Sequence, residues 1–288
     1  MPRLMTVIVV CLCSSLFAAC TRDELCTTSD DSLTRALLKL SDEASTRLSA
    51  NAPRADTMAR LHTLCVEAQK AVGHSRGEAA VDRLNEFLFK KSGFRREVDD
   101  PDIRFMLLPY VVRHRQGSCL GLASLYVVLA RALDMPIRPV LVPGHIFVRL
   151  AKKHSHVNIE LFHQGEFMPD DWYRKKWRVP NHVSSYMREL TDEQFVSVLL
   201  FNLGNEYRTR GLLDQALEKY SAASEGFSDF AEAHASMGLV YQMQGKLQKA
   251  MDSYLRAKHI QPGLEGLDGN MRKLKRQPDF LQSPSVAD

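Results

Sequence analysis

The sequence predicts an α+β fold: a helical segment, then a core of one buried helix and an antiparallel sheet, then an all-α repeat module. Three observations predict it. Residues 32–89 place apolar side chains at the three-and-four spacing of amphipathic helices. Residues 119–162 begin as an apolar helix pattern and then alternate as strands do. The residues after 197 repeat their pattern every 34 positions, which is typical of stacked repeats.

The composition is that of an ordinary globular protein. The chain has 288 residues, 45% of them hydrophobic and 25% charged, which excludes a disordered chain, a collagen-like repeat and a multi-span membrane protein. At about 100–200 residues per domain, this length allows one large domain or two modest ones. The 38 Lys and Arg against 34 Asp and Glu leave a net charge of +4, too small an excess to indicate a nucleic-acid partner.

Residues 1–19 have the pattern of a secretory signal peptide. Arg3 precedes a nearly uncharged run that is too short for a membrane-spanning helix. Small residues then precede Cys20, which resembles the lipobox at which bacterial lipoproteins are cleaved and acylated. Cys20 is therefore predicted to carry a lipid anchor, the only membrane contact, at the head of a tether over 20–30. Ordinary signal-peptidase cleavage and a retained, uncleaved anchor are the alternatives. Because Thr21 is not the aspartate of inner-membrane retention, the resemblance implies a cell-envelope lipoprotein on the periplasmic face of the outer membrane.

Residues 31–97 are predicted to be a helical segment. Its three amphipathic stretches are separated by the helix-breaking sequences Asn51-Ala52-Pro53 and Gly73-His74-Ser75. Cys65 either pairs with Cys26 in an oxidising compartment or is a buried core residue. The predicted helices are Ser32–Leu48, Met58–Val72 and Glu78–Phe89.

Residues 98–195 are predicted to form the core. One helix is predicted to open at 99–102 and to end at Gly117. Ser118 then suits the N-cap of a helix that is apolar nearly all round, as a helix at the centre of a domain is. The central helix is predicted from Cys119 to about Leu133, and the strands are Arg138–Val142, His145–Leu150 and Val157–Phe162.

Residues 197–276 are predicted to be two tetratricopeptide repeats and a capping helix. Two repeats are too few to bury a core alone, so we expect them to lean on the preceding domain. The cap is predicted around Leu267–Lys275, and residues 277–288 are predicted to be a flexible tail. The matched positions, 34 residues apart, are Leu203-Gly204, Tyr207, Ala216, Tyr220 and Ala223 in the first repeat and Met237-Gly238, Tyr241, Ala250, Tyr254 and Ala257 in the second.

The inner face of the repeats is the predicted partner-binding surface. It would present a mixed polar and apolar surface to a protein or peptide, although intramolecular packing competes for the same face. The predicted contact residues are Phe201, Asn205, Arg208 and Gln242.

Cys119 stands where the central helix is predicted to begin. The unpaired N–H groups and the dipole at that end stabilise a thiolate. They can also place a backbone N–H at a developing oxyanion, so the Cys119 amide is a candidate donor and Gln116 a weaker one. A thiolate in acyl transfer also needs an imidazole to exchange protons, and that imidazole needs an acceptor to hold it.

His145 and Glu160 are predicted to supply the imidazole and its acceptor. By strand alternation, His145 shares one face with Phe147 and Arg149, while Glu160 lies on the polar face of the next strand. In a hairpin of these two strands, residue 145 falls opposite positions 160 to 162, so Glu160 is in reach.

These residues resemble the transglutaminase-like superfamily, whose members share a papain-like core. The resemblance rests on Gly117-Ser118-Cys119-Leu120, on Val142–Arg149 and on Asn158-Ile159-Glu160. The closer similarity is to the bacterial branch that has a helical region before the core and tetratricopeptide repeats after it, and it covers most of 31–275. The resemblance implies Cys119 as nucleophile, His145 as base and acid, and Glu160 as the orienting carboxylate.

The sequence also departs from the family pattern. Glu160 stands where many relatives have Asp, and Ile146-Phe147 follows His145 where Ala-Trp is common. Some members of the branch have lost the cysteine and are not enzymes. Membership therefore does not by itself imply turnover.

Two functions follow from these patterns. The first is an exported lipoprotein whose Cys–His–Glu domain acts as an amidase, peptidase or transglutaminase on a peptide-like amide through a thioester, with repeats that bind a protein. The alternative is a non-catalytic envelope adaptor that binds proteins or peptides through its repeats. No cofactor or metal is predicted, because the chain has no phosphate-cradling glycine loop and the histidines near 154–163 lack the spacing of a known metal site. Trp172 and Trp177 either line a substrate groove or cover an edge of the core.

Overall fold

The computed structural model describes residues 31–48, 54–97, 102–181, 183–277 and 280. The predicted signal peptide, lipid anchor and tether lie outside these residues, as does most of the predicted tail. Cys26 also lies outside them, so its pairing with Cys65 stays a prediction. Cys65 itself is fully buried, as its alternative role in the core requires.

The N-terminal segment is helical, as predicted. The first helix has the predicted bounds, and the second begins before the predicted Met58. The third helix continues into a π-helix, Glu86–Lys91, which contains the predicted end at Phe89. The helices are α1 (Ser32–Leu48), α2 (Arg54–Val72) and α3 (Gly77–Asn85).

The prediction of one continuous helix ending at Gly117 is wrong, because the structure has two separate helical pieces there. Ile103–Met106 form a 3₁₀ turn, Leu107 is extended, and α4 spans only Leu108–His114. The break has a physical cause: Pro109 has no N–H and is accommodated in the first turn of a helix, so a new helix starts there.

The central helix α5, Cys119–Ala132, is buried from Leu120 to Ala130, as its all-round apolar surface predicts. Four antiparallel strands follow in the order in which they occur in the chain. A short parallel pair lies elsewhere in the core, formed by β1 (Arg95–Arg96) and β2 (Gln116–Gly117). The four strands are β3 (Ile137–Val142), β4 (His145–Ala151), β5 (His156–Glu160) and β6 (Glu166–Met168).

The register of β4 against β5 decides which side chains meet. Arg149 pairs with Asn158, and the same register carried onward sets position 145 opposite 162, within the predicted window. The strand predicted to run to Phe162 is wrong at its end. Glu160 ends β5, because its Oε1 accepts a hydrogen bond from the Phe162 N–H at 2.9 Å and starts a 3₁₀ turn.

The helix α6, Asp170–Lys176, covers the face of the sheet on which His145 lies. The ring of Phe147 stacks on that of Tyr173, with 3.7 Å between their centroids. Arg149 is 5% exposed, and its Nη2 donates to Asp170 at 3.1 Å. These contacts fix α6 on the sheet.

The repeat module consists of two helix pairs and a cap. In each repeat, a glycine of the first helix meets a tyrosine of the second. A Cβ on Gly204 would lie 2.7 Å from Tyr220, and one on Gly238 would lie 2.5 Å from Tyr254, so the helices pack too closely for a side chain. The helices are α7 (Asp192–Thr209), α8 (Leu213–Gly226), α9 (Ala231–Met243), α10 (Leu247–Ile260) and the cap α11 (Leu267–Lys275).

The repeats lean on the preceding domain, as expected. One buried apolar cluster runs from α1 through the core to α9. Lys219 on α8 donates to Oε2 of Glu43 on α1 at 2.8 Å. Arg131 in α5 pairs with Asp192 at the start of α7. None of the described helices combines the length and apolarity needed to cross a membrane.

Candidate active site

Cys119 is the first residue of α5 and is half-buried. Ser118 caps this helix as predicted, because its Oγ accepts a hydrogen bond from the Gly121 N–H at 3.3 Å. The N–H of Ser118 donates to the carbonyl of Phe105 at 2.9 Å, which fixes the start of α5 against the preceding 3₁₀ turn. The sulfur is therefore held where the N–H groups of the first helical turn can stabilise negative charge.

His145 begins β4, directly after a turn in which Gly144 has a φ of 70°, a left-handed conformation that favours glycine. Its Nε2 lies 2.9 Å from Oε2 of Glu160, which is fully buried at the end of β5. With Nε2 on Glu160, Nδ1 is the ring nitrogen left for Cys119, which lies near enough to raise the pKa of His145. The structure thus brings together the three side chains that the sequence singled out.

The surroundings of His145 favour its charged form. Burial lowers the pKa of His145, but hydrogen bonds with Cys119 and Glu160 outweigh burial and raise the pKa to about 9. Burial raises the pKa of Glu160, but the hydrogen bond and charge of His145 hold that pKa below its ordinary value. At neutral pH the site therefore holds an imidazolium between a carboxylate and the cysteine sulfur.

Two aromatic residues of α6 and its end lie beside His145 and Glu160. The sequence left open whether Trp177 lines a groove or covers the core, and it did not single out Tyr173. Trp177 stacks on the imidazole, with 4.2 Å between centroids and 8° between the ring planes. Tyr173 is fully buried beside Glu160, and burial followed by the charge of that carboxylate raises the pKa of Tyr173 well above its ordinary value. The only sequence signal was their spacing of four residues, which places both rings on one side of a helical turn.

Gln116 lies on β2, shortly before the cap of α5. With its amide oxygen turned toward Arg95, it accepts hydrogen bonds from Nη2 at 2.6 Å and from Nε at 3.2 Å. The amide nitrogen is then the group that can donate. A role for Gln116 at an oxyanion stays a prediction.

Cys119 opens into a cleft of about 620 Å³ between the core and the first repeat. This volume lies in the range of about 300–1,000 Å³ that is typical of small-ligand sites. The core side of the cleft contributes apolar side chains, and α7 contributes a polar wall. The apolar residues are Ile103, Met106 and Leu120, and the residues of α7 are Asn202, Asn205, Glu206, Thr209 and Arg210.

The four predicted partner-binding residues each have a contact inside the protein. The Tyr220 hydroxyl donates to Oδ1 of Asn205 at 2.8 Å and accepts from Nε of Arg208 at 3.3 Å. Phe201 packs against the Tyr220 ring, with 5.6 Å between centroids. Gln242 accepts a hydrogen bond at 3.0 Å from the equivalent tyrosine of the second repeat. Packing does compete for this face, and of these four residues Asn205 is the one that lines the cleft at the cysteine.

Within the described part of the chain, no group of three or more His, Cys, Asp or Glu side chains is arranged to hold a metal ion. Two of the histidines near 154–163 have other contacts. His156 Nε2 lies 3.0 Å from Oδ1 of Asp170, and His163 packs edge-on against Trp172 at 5.5 Å.

Two family models match the chain, and the boundary between them falls within α7. The model described as the transglutaminase-like superfamily matches residues 55–198. The model described as the TPR repeat matches residues 204–245.

Individual relatives match different shares of the chain. A UPF0162 protein of Xylella fastidiosa (strain 9a5c) is 25% identical over 194 residues, which is 64% of this chain and 69% of the relative. The human protein O-mannosyl-transferase TMTC1 is 36% identical over 91 residues, 32% of this chain, and the match spans 10% of that protein's length. The crystal structure of menin, described as revealing the binding site for the Mixed Lineage Leukemia (MLL) protein, aligns with 81% of this chain and 68% of its own, at 16% identity and a TM-score of 0.41.

Proposed function

Because the chain belongs to the transglutaminase-like superfamily, we propose that it is a cysteine acyl-transfer enzyme that acts on peptide-like amides, as an amidase, peptidase or transglutaminase. Cys119 is the nucleophile, His145 the base and acid, and Glu160 the carboxylate that orients the imidazole. One observation carries the proposal: the buried His145 bonds to Glu160 and lies beside Cys119, where the cysteine opens into a cleft.

The proposed reaction has two steps. The Cys119 thiolate attacks the amide carbonyl carbon, a C–S bond forms, and the negative charge on oxygen faces the N–H groups at the start of α5. The C–N bond then breaks, and the His145 imidazolium gives its proton to the leaving amine. In the second step His145 takes a proton from water or from another amine, which attacks the thioester carbon and releases the sulfur as thiolate.

Thiol reactivity tests this proposal. The full chain is treated with iodoacetamide at about pH 6, and labelling of each cysteine is followed by mass spectrometry of its peptide. We expect Cys119 to react at this pH, and His145→Ala to slow it by about tenfold or more, because the imidazolium no longer stabilises the thiolate. Cys65 is fully buried and serves as the internal control.

Two outcomes would contradict the proposal. In one, Cys119 reacts only when the chain unfolds, as Cys65 should. In the other, His145→Ala leaves the rate of Cys119 labelling unchanged. If the thiol is reactive, a Cys119→Ser chain searched for bound envelope peptides identifies the substrate.

The tetratricopeptide repeats support protein–protein interaction in general. They also favour the second candidate function, an envelope adaptor that binds proteins or peptides without turnover. Pull-downs with the full chain and with its Phe201→Ala and Asn205→Ala variants test that role. Equal recovery of the same partner by all three proteins counts against binding on that face.

We further propose that the chain is exported and is held at the periplasmic face of the outer membrane by a lipid on Cys20. The support is the charge pattern of residues 1–19 and the small residues before the cysteine. Labelling with palmitate, followed by mass spectrometry of the mature N-terminus, tests it. A mature chain that begins elsewhere, or that carries no acyl group, overturns it.

A further inference from the structure

We infer that α7, the first helix of the repeats, selects the substrate: Asn202 and Asn205 hold the main chain of an extended peptide beside Cys119. The inference rests on the proposed function and names the substrate class of the same site. In this inference, the peptide that binds the first repeat is the same molecule that reacts with Cys119.

The first step is the position of α7. Asn202 and Asn205 are three residues apart on one helix, so their side chains are neighbours on its surface. Both line the cleft into which Cys119 opens. A substrate whose amide carbon reaches the sulfur of Cys119 therefore lies against this part of α7.

The second step is the hydrogen bonding of the two amides. Nδ2 of Asn202 donates to the carbonyl of Val198 at 2.8 Å, which leaves its Oδ1 to accept. Oδ1 of Asn205 accepts from the Tyr220 hydroxyl at 2.8 Å, which leaves its Nδ2 to donate. One acceptor beside one donor matches the N–H and C=O groups of a peptide main chain. Both amides are held in this orientation before any ligand binds.

The third step is the charge of the cleft. Nε of Arg210 donates to Glu206 at 2.6 Å, and Nε of Arg104 donates to Asp102 at 2.7 Å. The charged groups of this region thus pair with one another, which favours a neutral main chain over a charged ligand such as a phosphate. The apolar side chains of the core wall suit one apolar side chain of the peptide.

Two thiol probes test the inference on the full chain. Iodoacetamide requires only a reactive Cys119, whereas a library of acetyl-capped tetrapeptide vinyl sulfones also requires that the peptide be held. In the vinyl sulfone the thiolate adds to the β-carbon and the α-carbon takes up a proton, so both probes leave a thioether that mass spectrometry locates. The quantity compared is the ratio of the peptidyl rate to the iodoacetamide rate.

Two variants with the same added charge should behave differently. Asn205→Asp keeps the oxygen that accepts from Tyr220 but loses the donor, so we expect its ratio to fall about tenfold. Asn202→Leu removes the acceptor, so we expect its ratio to fall as well. Asn270→Asp adds the same charge on α11, away from the cleft, so we expect its ratio to stay within about threefold of the wild-type ratio. Met243→Ala, at an exposed position on α9, is the control in the second repeat.

The outcomes separate the two proposals. Equal ratios in wild type, Asn270→Asp and Asn205→Asp overturn the inference and leave the proposed function standing. A wild-type chain that reacts no faster with the peptidyl library than with methyl vinyl sulfone also overturns the inference. A wild-type Cys119 that is inert to iodoacetamide overturns the proposed function.

Discussion

His145 remains protonated through neutral pH, although its burial opposes the charge, because Cys119 and Glu160 hold its pKa at about 9. In the unfolded chain a histidine titrates near 6.5. The folded state therefore binds this proton more tightly, and the stabilisation is complete below about pH 6.5 and lost as the pH rises through about 9. We expect the free energy of unfolding of the wild type, minus that of His145→Gln, to fall across this interval. Urea titrations at several pH values measure it, and a difference that grows with pH would contradict the assignment.

Trp177 lies flat on the imidazole, and His145 and Glu160 are both buried. A hydrogen bond is stronger in such a setting than in water. We expect Trp177→Ala to slow iodoacetamide labelling of Cys119 at about pH 6 by about threefold to tenfold, and Trp177→Phe to keep most of the rate because a ring still covers the imidazole. Circular dichroism checks that both variants fold. Equal rates in all three proteins would show that the stacking has no effect on the thiol.

The grouping of Cys119, His145 and Glu160 could be predicted from the sequence, whereas the way in which Trp177 covers His145 could not. Helix-end placement and strand alternation are local rules, and they were enough to bring His145 within reach of Glu160. The position of Trp177 depends instead on where α6 crosses the sheet. That crossing is set by contacts such as Arg149 with Asp170, which join distant parts of the chain.

The start of α5 packs so closely on the preceding 3₁₀ turn that only glycine fits at its third position. A Cβ on Gly121 would lie 2.1 Å from the carbonyl oxygen of Phe105. We expect Gly121→Ala to lower the free energy of unfolding by about 1–3 kcal/mol, because the helix and the turn must move apart. Because α5 also carries Cys119, thiol labelling should slow in the same variant.

The control for this substitution is Gly269→Ala in α11. A Cβ there would meet nothing within 4 Å, so the gain in helix propensity should stabilise the protein by up to about 1 kcal/mol. Thermal unfolding of both variants measures the contrast. Destabilisation by Gly269→Ala equal to that by Gly121→Ala would refute the steric explanation.

Helices and strands with a strong period of apolar residues could be predicted from the sequence. Element ends that depend on a single residue could not. The bounds of α1 and the start of α5 follow from apolar spacing and from Ser118. The interruption at Leu107 depends on Pro109, which an apolar count treats as one more residue. The early end of β5 depends on a side chain, that of Glu160, bonding to the backbone.

A largely buried ion pair joins the repeats to the N-terminal helices. Lys219 is 6% exposed, and its Nζ lies 2.7 Å from Oε1 of Glu43 and 2.9 Å from Oε1 of Glu218. In Glu43→Gln the more exposed Glu218 is the only carboxylate left beside the ammonium, so we expect the free energy of unfolding to fall by about 1–3 kcal/mol. Glu218→Gln should change it by less than about 0.5 kcal/mol, because that side chain is mostly in solvent. Urea unfolding measures the free-energy change in each variant. Equal losses in Glu43→Gln and Glu218→Gln would contradict the larger contribution assigned to Glu43.

The way the two modules meet could not be predicted from the sequence. The repeat period gives the helices of each module, and the shortage of repeats indicates that they need a neighbour. The angle at which α7 settles depends on contacts such as those of Arg131 with Asp192 and of Lys219 with Glu43, which lie far apart in the chain. For that reason Asn205 was assigned to partner binding from the sequence, but its place beside Cys119 was not foreseen.

Because α7 forms one side of the cleft, the proposed function places the reactive cysteine and the choice of substrate in separate stretches of the gene. Substitutions along that helix, or its replacement through recombination, would change which peptides bind and would leave Cys119, His145 and Glu160 unchanged. The same arrangement bears on how the protein is prepared for screening. A recombinant fragment that ends before residue 192 would lack α7 and leave Cys119 open to bulk water on one side. Its substrate preference would therefore differ from that of the full chain.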